Sequence, residues 1–122
     1  MLLGTSFAMA DTWTTLDYPG GSRTQAFGIS GNSIVGTYQD SSSNLNSFLY
    51  NGTTWTTLGY PGGKRTQAFG ISGNSIVGTY QDNSSNLNSF LYNGTTWTTL
   101  GYPGGKRTQA FGISGNSIVG TY

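Results

Sequence analysis

From Thr12 to Tyr122 the apolar positions come in short alternating bursts, each cut off by Gly, Pro, Asn or Asp before it reaches helical length. Alternation with a period of two over roughly four to eight residues predicts half-buried strands, and no window of about 11 residues repeats apolar side chains at helical spacing. Thr12 to Tyr18 is rich in β-formers and runs into Tyr18-Pro19-Gly20-Gly21, which has Pro and Gly at the two central positions of a type II turn. Thr24 to Ser30 alternates Gln25, Phe27 and Ile29 on one face with Ala26 and Gly28 on the other, and Gly31-Asn32 predicts a hairpin turn into Ser33 to Gln39. The loop Asp40 to Asn46 is polar apart from Leu45. After it, Ser47 to Tyr50 predicts a short strand ending at Asn51-Gly52, a strong hairpin signal, which leads into Thr54 to Tyr60. The order is a repeating antiparallel meander, and the fold class is all-β.

The pattern recurs. Trp13, Trp55 and Trp97 stand 42 residues apart, and Trp55 to Tyr80 is identical to Trp97 to Tyr122. The first copy departs from the later ones at Asp17 (Gly59 and Gly101), Ser22 (Lys64 and Lys106) and Ser41 (Asn83). Such near-identity means that recurrence cannot separate functional positions from structural ones. Its physical content is different: a unit of about 40–50 residues does not bury its apolar face alone and stacks on its copies. The sequence repeats run 12–53, 54–95 and 96–122, the last one truncated. Four antiparallel strands in 42 residues predict a β-propeller blade. In such a blade Ala26, Gly28 and Gly36 would permit close approach near the axis, while Trp13, Phe27, Phe48 and Tyr50 would fill the wider space between blades. Packing alone accounts for the aromatics equally well.

The segments Leu58-Gly59-Tyr60-Pro61-Gly62-Gly63, Ala68-Phe69-Gly70-Ile71, Ile76-Val77-Gly78 and Ser89-Phe90-Leu91-Tyr92-Asn93-Gly94 resemble the HAF-type repeats of bacterial extracellular proteins, from Trp13 onward. The His-Ala-Phe triplet of that family falls on Asn46-Ser47-Phe48 and Asn88-Ser89-Phe90, where only Phe is kept, so no role of the His carries over. The resemblance implies secretion and a propeller-like repeat fold, and it brings no site residues.

Residues 1–10 end in Ala8-Met9-Ala10, a small-residue pattern of the kind that precedes a signal-peptidase cut, and are read as the remnant of a signal peptide, with the repeat domain spanning 11–122. The rival reading makes Ser6-Phe7-Ala8-Met9-Ala10-Asp11 a strand that imitates Ser47 to Gly52. Propellers close with about 4–8 blades. The expectation is therefore a partial propeller from a longer array, or one completed by copies of the chain, for example two chains making six blades.

Composition narrows function by exclusion. The chain has no Cys, His or Glu, and its only carboxylate side chains are Asp11, Asp17, Asp40 and Asp82. That removes Ser-His-Asp and Cys-His arrangements, a zinc site and an imidazole proton shuttle, so no catalytic residue, metal ligand or cofactor is assigned and no enzyme is expected. Charged residues make up 7% of the chain, against roughly 25% in an average soluble protein, so solubility rests on hydroxyls and amides. A net charge of +1 does not support the phosphate neutralisation that drives nucleic-acid binding. No apolar run approaches the roughly 18 residues of a membrane span.

Several local patterns invite a chemical reading. Gly62-Gly63-Lys64-Arg65-Thr66 lacks both the glycine spacing and the Lys-Ser/Thr pair of a phosphate loop. Asp82-Asn83-Ser84-Ser85-Asn86 and its sister from Asp40 offer alternate oxygens as calcium loops do, without the central Gly or distal Glu, and an Asp capping its own turn explains them. Arg23, Arg65 and Arg107 recur once per repeat, as a positive ring or as solvated side chains. Asn51-Gly52-Thr53, Asn83-Ser84-Ser85 and Asn93-Gly94-Thr95 match the N-glycosylation pattern, whose meaning depends on the host. The leading expectation is a non-catalytic, secreted repeat scaffold for surface interaction or adhesion, with itself or extracellular proteins and glycans as partners. The alternative is a lectin-like module in which Trp55 and Tyr60 stack on sugar while Arg65 and Asp82 bond to it.

Overall fold

A computed structural model describes residues 12–122; the expected signal remnant, residues 1–10, lies outside them. The described chain is all-β and antiparallel. One four-stranded sheet contains β1 (Ser22–Ser30), β2 (Ser33–Gln39), β3 (Leu45–Tyr50) and β4 (Trp55–Leu58), hydrogen-bonded in that order. A second repeats it with β5 (Lys64–Ser72), β6 (Ser75–Gln81), β7 (Leu87–Tyr92) and β8 (Trp97–Leu100), and β9 (Gln109–Ser114) pairs with β10 (Ser117–Thr121).

The sheets are out of phase with the sequence repeats. The second and third Trp-Thr-Thr-Leu segments are the fourth strands of the sheets before them, since Tyr50 pairs with Trp55 and Tyr92 with Trp97. Thr12 to Tyr18, expected as a strand, is irregular: among the described residues no third strand precedes it, and Trp13 is 93% exposed. The Tyr18-Pro19-Gly20-Gly21 turn forms as expected, with Gly20 at φ 78° and the Gly21 N–H donating to the Tyr18 carbonyl at 2.9 Å. The Asn51-Gly52 connection is longer than a two-residue hairpin. The Asn51 Oδ1 accepts from the Thr53 and Thr54 N–H groups at 3.0 and 2.8 Å, so an Asx turn holds Asn51 through Thr54 outside both strands.

A β-bulge breaks the alternation expected for Thr24 to Ser30. Ala26 pairs with Gly36 and Gly28 with Val35, which leaves Phe27 as the extra residue. In the second sheet the same bulge at Phe69 leaves Ala68 fully buried, while Gly70 meets the third sheet. Ala and Gly therefore serve opposite faces, not one.

Successive sheets stack through these first strands. A Cβ on Gly28 would lie 3.2 Å from the Gly70 Cα, and one on Gly70 would lie 3.1 Å from the Gly112 Cα, so β1, β5 and β9 touch backbone to backbone. Phe27, Phe69 and Phe111 form a ladder beside the contact, with ring centroids 5.2 and 5.4 Å apart. The core fills the space between the first two sheets, where Val35 and Leu58 meet Ala68, Ile76, Tyr80 and Phe90. Its polar members are paired. Ser47 Oγ donates to the Thr66 carbonyl at 2.6 Å and accepts from the Ala68 N–H at 2.8 Å, and Ser89 does the same to Thr108 and Ala110. At the hairpin ends the Gly73 and Gly115 N–H groups donate to Ser30 and Ser72 Oγ, each at 3.0 Å.

Candidate functional site

Two kinds of local arrangement stand out, one aromatic and one polar. In the first sheet Tyr18 lies flat on Tyr38 at 3.7 Å, and both hydroxyls reach Thr57 Oγ1 at 2.8 Å. Trp55 stacks on Tyr50 at 4.3 Å and meets Phe48 edge-on at 5.0 Å. The same cluster recurs around Tyr60, Tyr80, Phe90, Tyr92 and Trp97. Burial pushes the Tyr38 and Tyr80 phenols above the usual tyrosine range, the bonds to Thr57 and Thr99 opposing it in part. In the third unit only the tyrosine pair is present, Tyr102 on Tyr122 at 3.8 Å. A hollow of about 400 Å³ opens beside it, lined by Leu100, Ala110, Ile118 and Gly120. The equivalent glycine of the second sheet, Gly78, faces Phe90 across the strands, so this hollow is the seat that Phe90 fills one unit earlier.

The polar arrangement lies where the first sheet meets the second. The loop after β2 is built on Asp40, whose Oδ1 accepts from the Ser42 and Asn44 N–H groups at 2.9 Å. Its Oδ2 accepts from the side-chain amides of Asn44 and Asn46 at 3.3 and 3.2 Å. These bonds, led by the one from the Asn44 backbone, hold the Asp40 carboxyl below the usual carboxylate range. Asp82 is built and shifted alike. The carboxylate is thus spent on its own loop. Among the described residues no three His, Cys, Asp or Glu gather into a metal-binding group.

Facing this loop, the chain leaves β4 at Leu58 and enters β5 at Lys64-Arg65-Thr66. Thr66 Oγ1 accepts from the Tyr60 N–H at 2.9 Å and fixes the connection. Arg65 occupies a bulge with φ 51°, a left-handed conformation that a bulge usually gives to Gly. Between the two walls runs a cleft of about 430 Å³, lined by Asp40, Asn44, Asn46, Leu58, Lys64 and Arg65, among others.

Of the residues singled out in the sequence, Arg65 lines this cleft, together with Asp40. Asp82 belongs to the equivalent loop one unit on. Trp55 and Tyr60 lie in two successive aromatic clusters, each with a ring face taken by a neighbour, Tyr50 for Trp55 and Tyr80 for Tyr60. The four therefore do not share one site. Asn44, Asn46 and Lys64 were not singled out. The signal for the two asparagines is the Asp40-Asn44-Asn46 spacing, which reads as a cation loop until the amides are seen to satisfy the carboxylate, and Lys64 figured only in the rejected phosphate-loop pattern. Comparison with models of protein families, with curated proteins and with solved structures brings up no match.

Proposed function

We propose that the chain is a non-catalytic, extracellular repeat scaffold for surface interaction or adhesion, its sheets acting as blades of a propeller that further units complete, copies of the chain among them. One observation carries this reading: the contact between successive sheets is the same twice over. Ser47 to Thr66 and Ala68 recurs as Ser89 to Thr108 and Ala110, and the first strands touch at Gly28, Gly70 and Gly112 along one edge. Serine bonds and glycine contacts that recur along one edge are the kind of heterologous contact that builds a ring when its rotation closes. The resemblance to HAF-type repeats supports secretion. The test is solution mass with negative-stain microscopy: closed assemblies of a fixed number of chains are expected. A folded monomer of 12.9 kDa would remove the association, and open fibres would remove the closure.

A carbohydrate-binding module is the second reading, favoured by the polar cleft beside Arg65. Trp55 and Tyr60, each with one ring face covered by a neighbouring ring, do not line this cleft.

A further inference from the structure

We infer that the cleft between the first two sheets binds an acidic saccharide, a hydroxyl-rich chain bearing carboxylate or sulfate groups. The inference rests on the carbohydrate-binding reading and narrows its ligand class. One wall supplies acceptors. The Asn44 and Asn46 side-chain amides turn their N–H groups inward to Asp40 and to the Asn44 carbonyl, and no hydrogen bond among the described residues uses their Oδ1 atoms. Sugar hydroxyls donate to such oxygens. The other wall supplies Lys64 and Arg65, one point charge and one planar fork that matches a carboxylate or sulfate with two parallel bonds. Leu45 and Leu58 add apolar lining for the C–H face of a ring.

The backbone fixes where Arg65 stands. Glycine fills a left-handed bulge position without strain, yet Arg23 and Arg65 both stand there at φ 51°. At Arg65 that bulge sits on the wall of the polar cleft. At the second junction the cleft is not built in the same way: β9 begins only at Gln109, and Arg107 is not among the left-handed residues. One site is expected among the described residues.

The test is calorimetric titration of the 122-residue chain with trigalacturonate and, in parallel, with neutral galactotriose, with amide shifts of Asn44 and Asn46 followed by NMR. Saturable binding of the acidic trimer at one site is expected, weaker at higher salt. Arg65→Gly, which relaxes the bulge, is expected to weaken it by roughly 10–100-fold, the worth of a charged hydrogen-bonded pair, with no fall in thermal midpoint. Lys64→Ser, which copies Ser22 of the first repeat, gives a second probe and a loss of a few-fold. Arg23→Gly, with no preceding loop opposite it among the described residues, leaves affinity unchanged. Equal affinity in Arg65→Gly, or an equal loss in Arg23→Gly, overturns the inference. Galactotriose binding as tightly in the cleft overturns the acidic class and leaves the carbohydrate reading standing, whereas failure of both sugars to bind overturns both.

Discussion

Ser47 lies wholly inside the protein and ties two sheets with a single oxygen, giving a proton to Thr66 and taking one from Ala68. Ser47→Ala leaves a buried carbonyl and a buried N–H without that partner, a cost of about 1–3 kcal/mol. Urea unfolding is expected to show the loss as a lower midpoint with an unchanged slope. The buried phenols give a residue-scale signature in pH. Because burial raises the folded-state pKa of Tyr38 and Tyr80, their contribution to stability is complete below the ordinary tyrosine value and is lost as pH rises through the raised one. Absorbance titration near 295 nm is expected to show two phenols ionising late, and Thr57→Val, which removes the bond favouring the phenolate, is expected to delay Tyr38 further. Phe48 and Tyr50 were legible in the sequence as packing, since bulk and flatness leave few alternatives, whereas Trp13, read the same way, is 93% exposed. Ser47 and Thr57 were not, because hydroxyls are common here and only the folded sheets show which of them are enclosed.

At the scale of elements, the contact between neighbouring strands sets what each position tolerates. A methyl on Gly78 would collide with the Gln67 carbonyl oxygen and sit 3.0 Å from the Ala68 Cα, both backbone atoms of the adjacent strand. Gly78→Ala is therefore expected to cost more than about 3 kcal/mol, beyond ordinary overpacking. Gly59→Ala meets nothing within 4 Å at an exposed position and is expected to stay within about 0.5 kcal/mol of the parent. Circular dichroism melts of the two variants make the comparison. The strands Ser33 to Gln39 and Ser47 to Tyr50 were readable from alternation and turn residues, the latter only two residues short of its full length. The bulge at Phe27 was not readable, because a strict period of two has no place for an extra residue. Nor was the partner of the first Trp-Thr-Thr-Leu segment, which depends on a neighbouring strand and not on the segment itself.

For the molecule as a whole, the same sequence in two places shows what stacking contributes. Val77 has no exposure and Tyr80 has 7%, whereas their copies Val119 and Tyr122 are 66% and 71% exposed. Appending the segment Gln81 to Leu100 after Tyr122 supplies the third and fourth strands of the last unit, with a Phe for the hollow beside Tyr102. Burying several apolar side chains at about 1.5–3 kcal/mol each is expected to raise unfolding free energy by several kcal/mol and to steepen the urea transition. An unchanged midpoint and slope would mean that the units do not support one another. The repeat and its need to stack were legible from the 42-residue period. The cleft was not, because its two walls come from a loop after β2 and a connection before β5 that meet only when one sheet docks on the next.

The placement of Trp-Thr-Thr-Leu at the end of both four-stranded sheets bears on how the chain finds its pairing. Downstream along the chain, β3 sees two interchangeable candidates for its outer neighbour, Trp55 to Leu58 four residues ahead and the identical Trp97 to Leu100 beyond a 46-residue excursion. Side-chain chemistry does not distinguish them. Chain entropy does: closing the longer loop costs about 2 kcal/mol more, a preference of some thirtyfold at equilibrium. The Asx turn at Asn51 widens that margin by shaping the short connection in advance. Correct assembly of this nearly self-identical polypeptide is thus decided by distance along the chain, with a tight turn standing in for the sequence variety that other folds use to tell one segment from another.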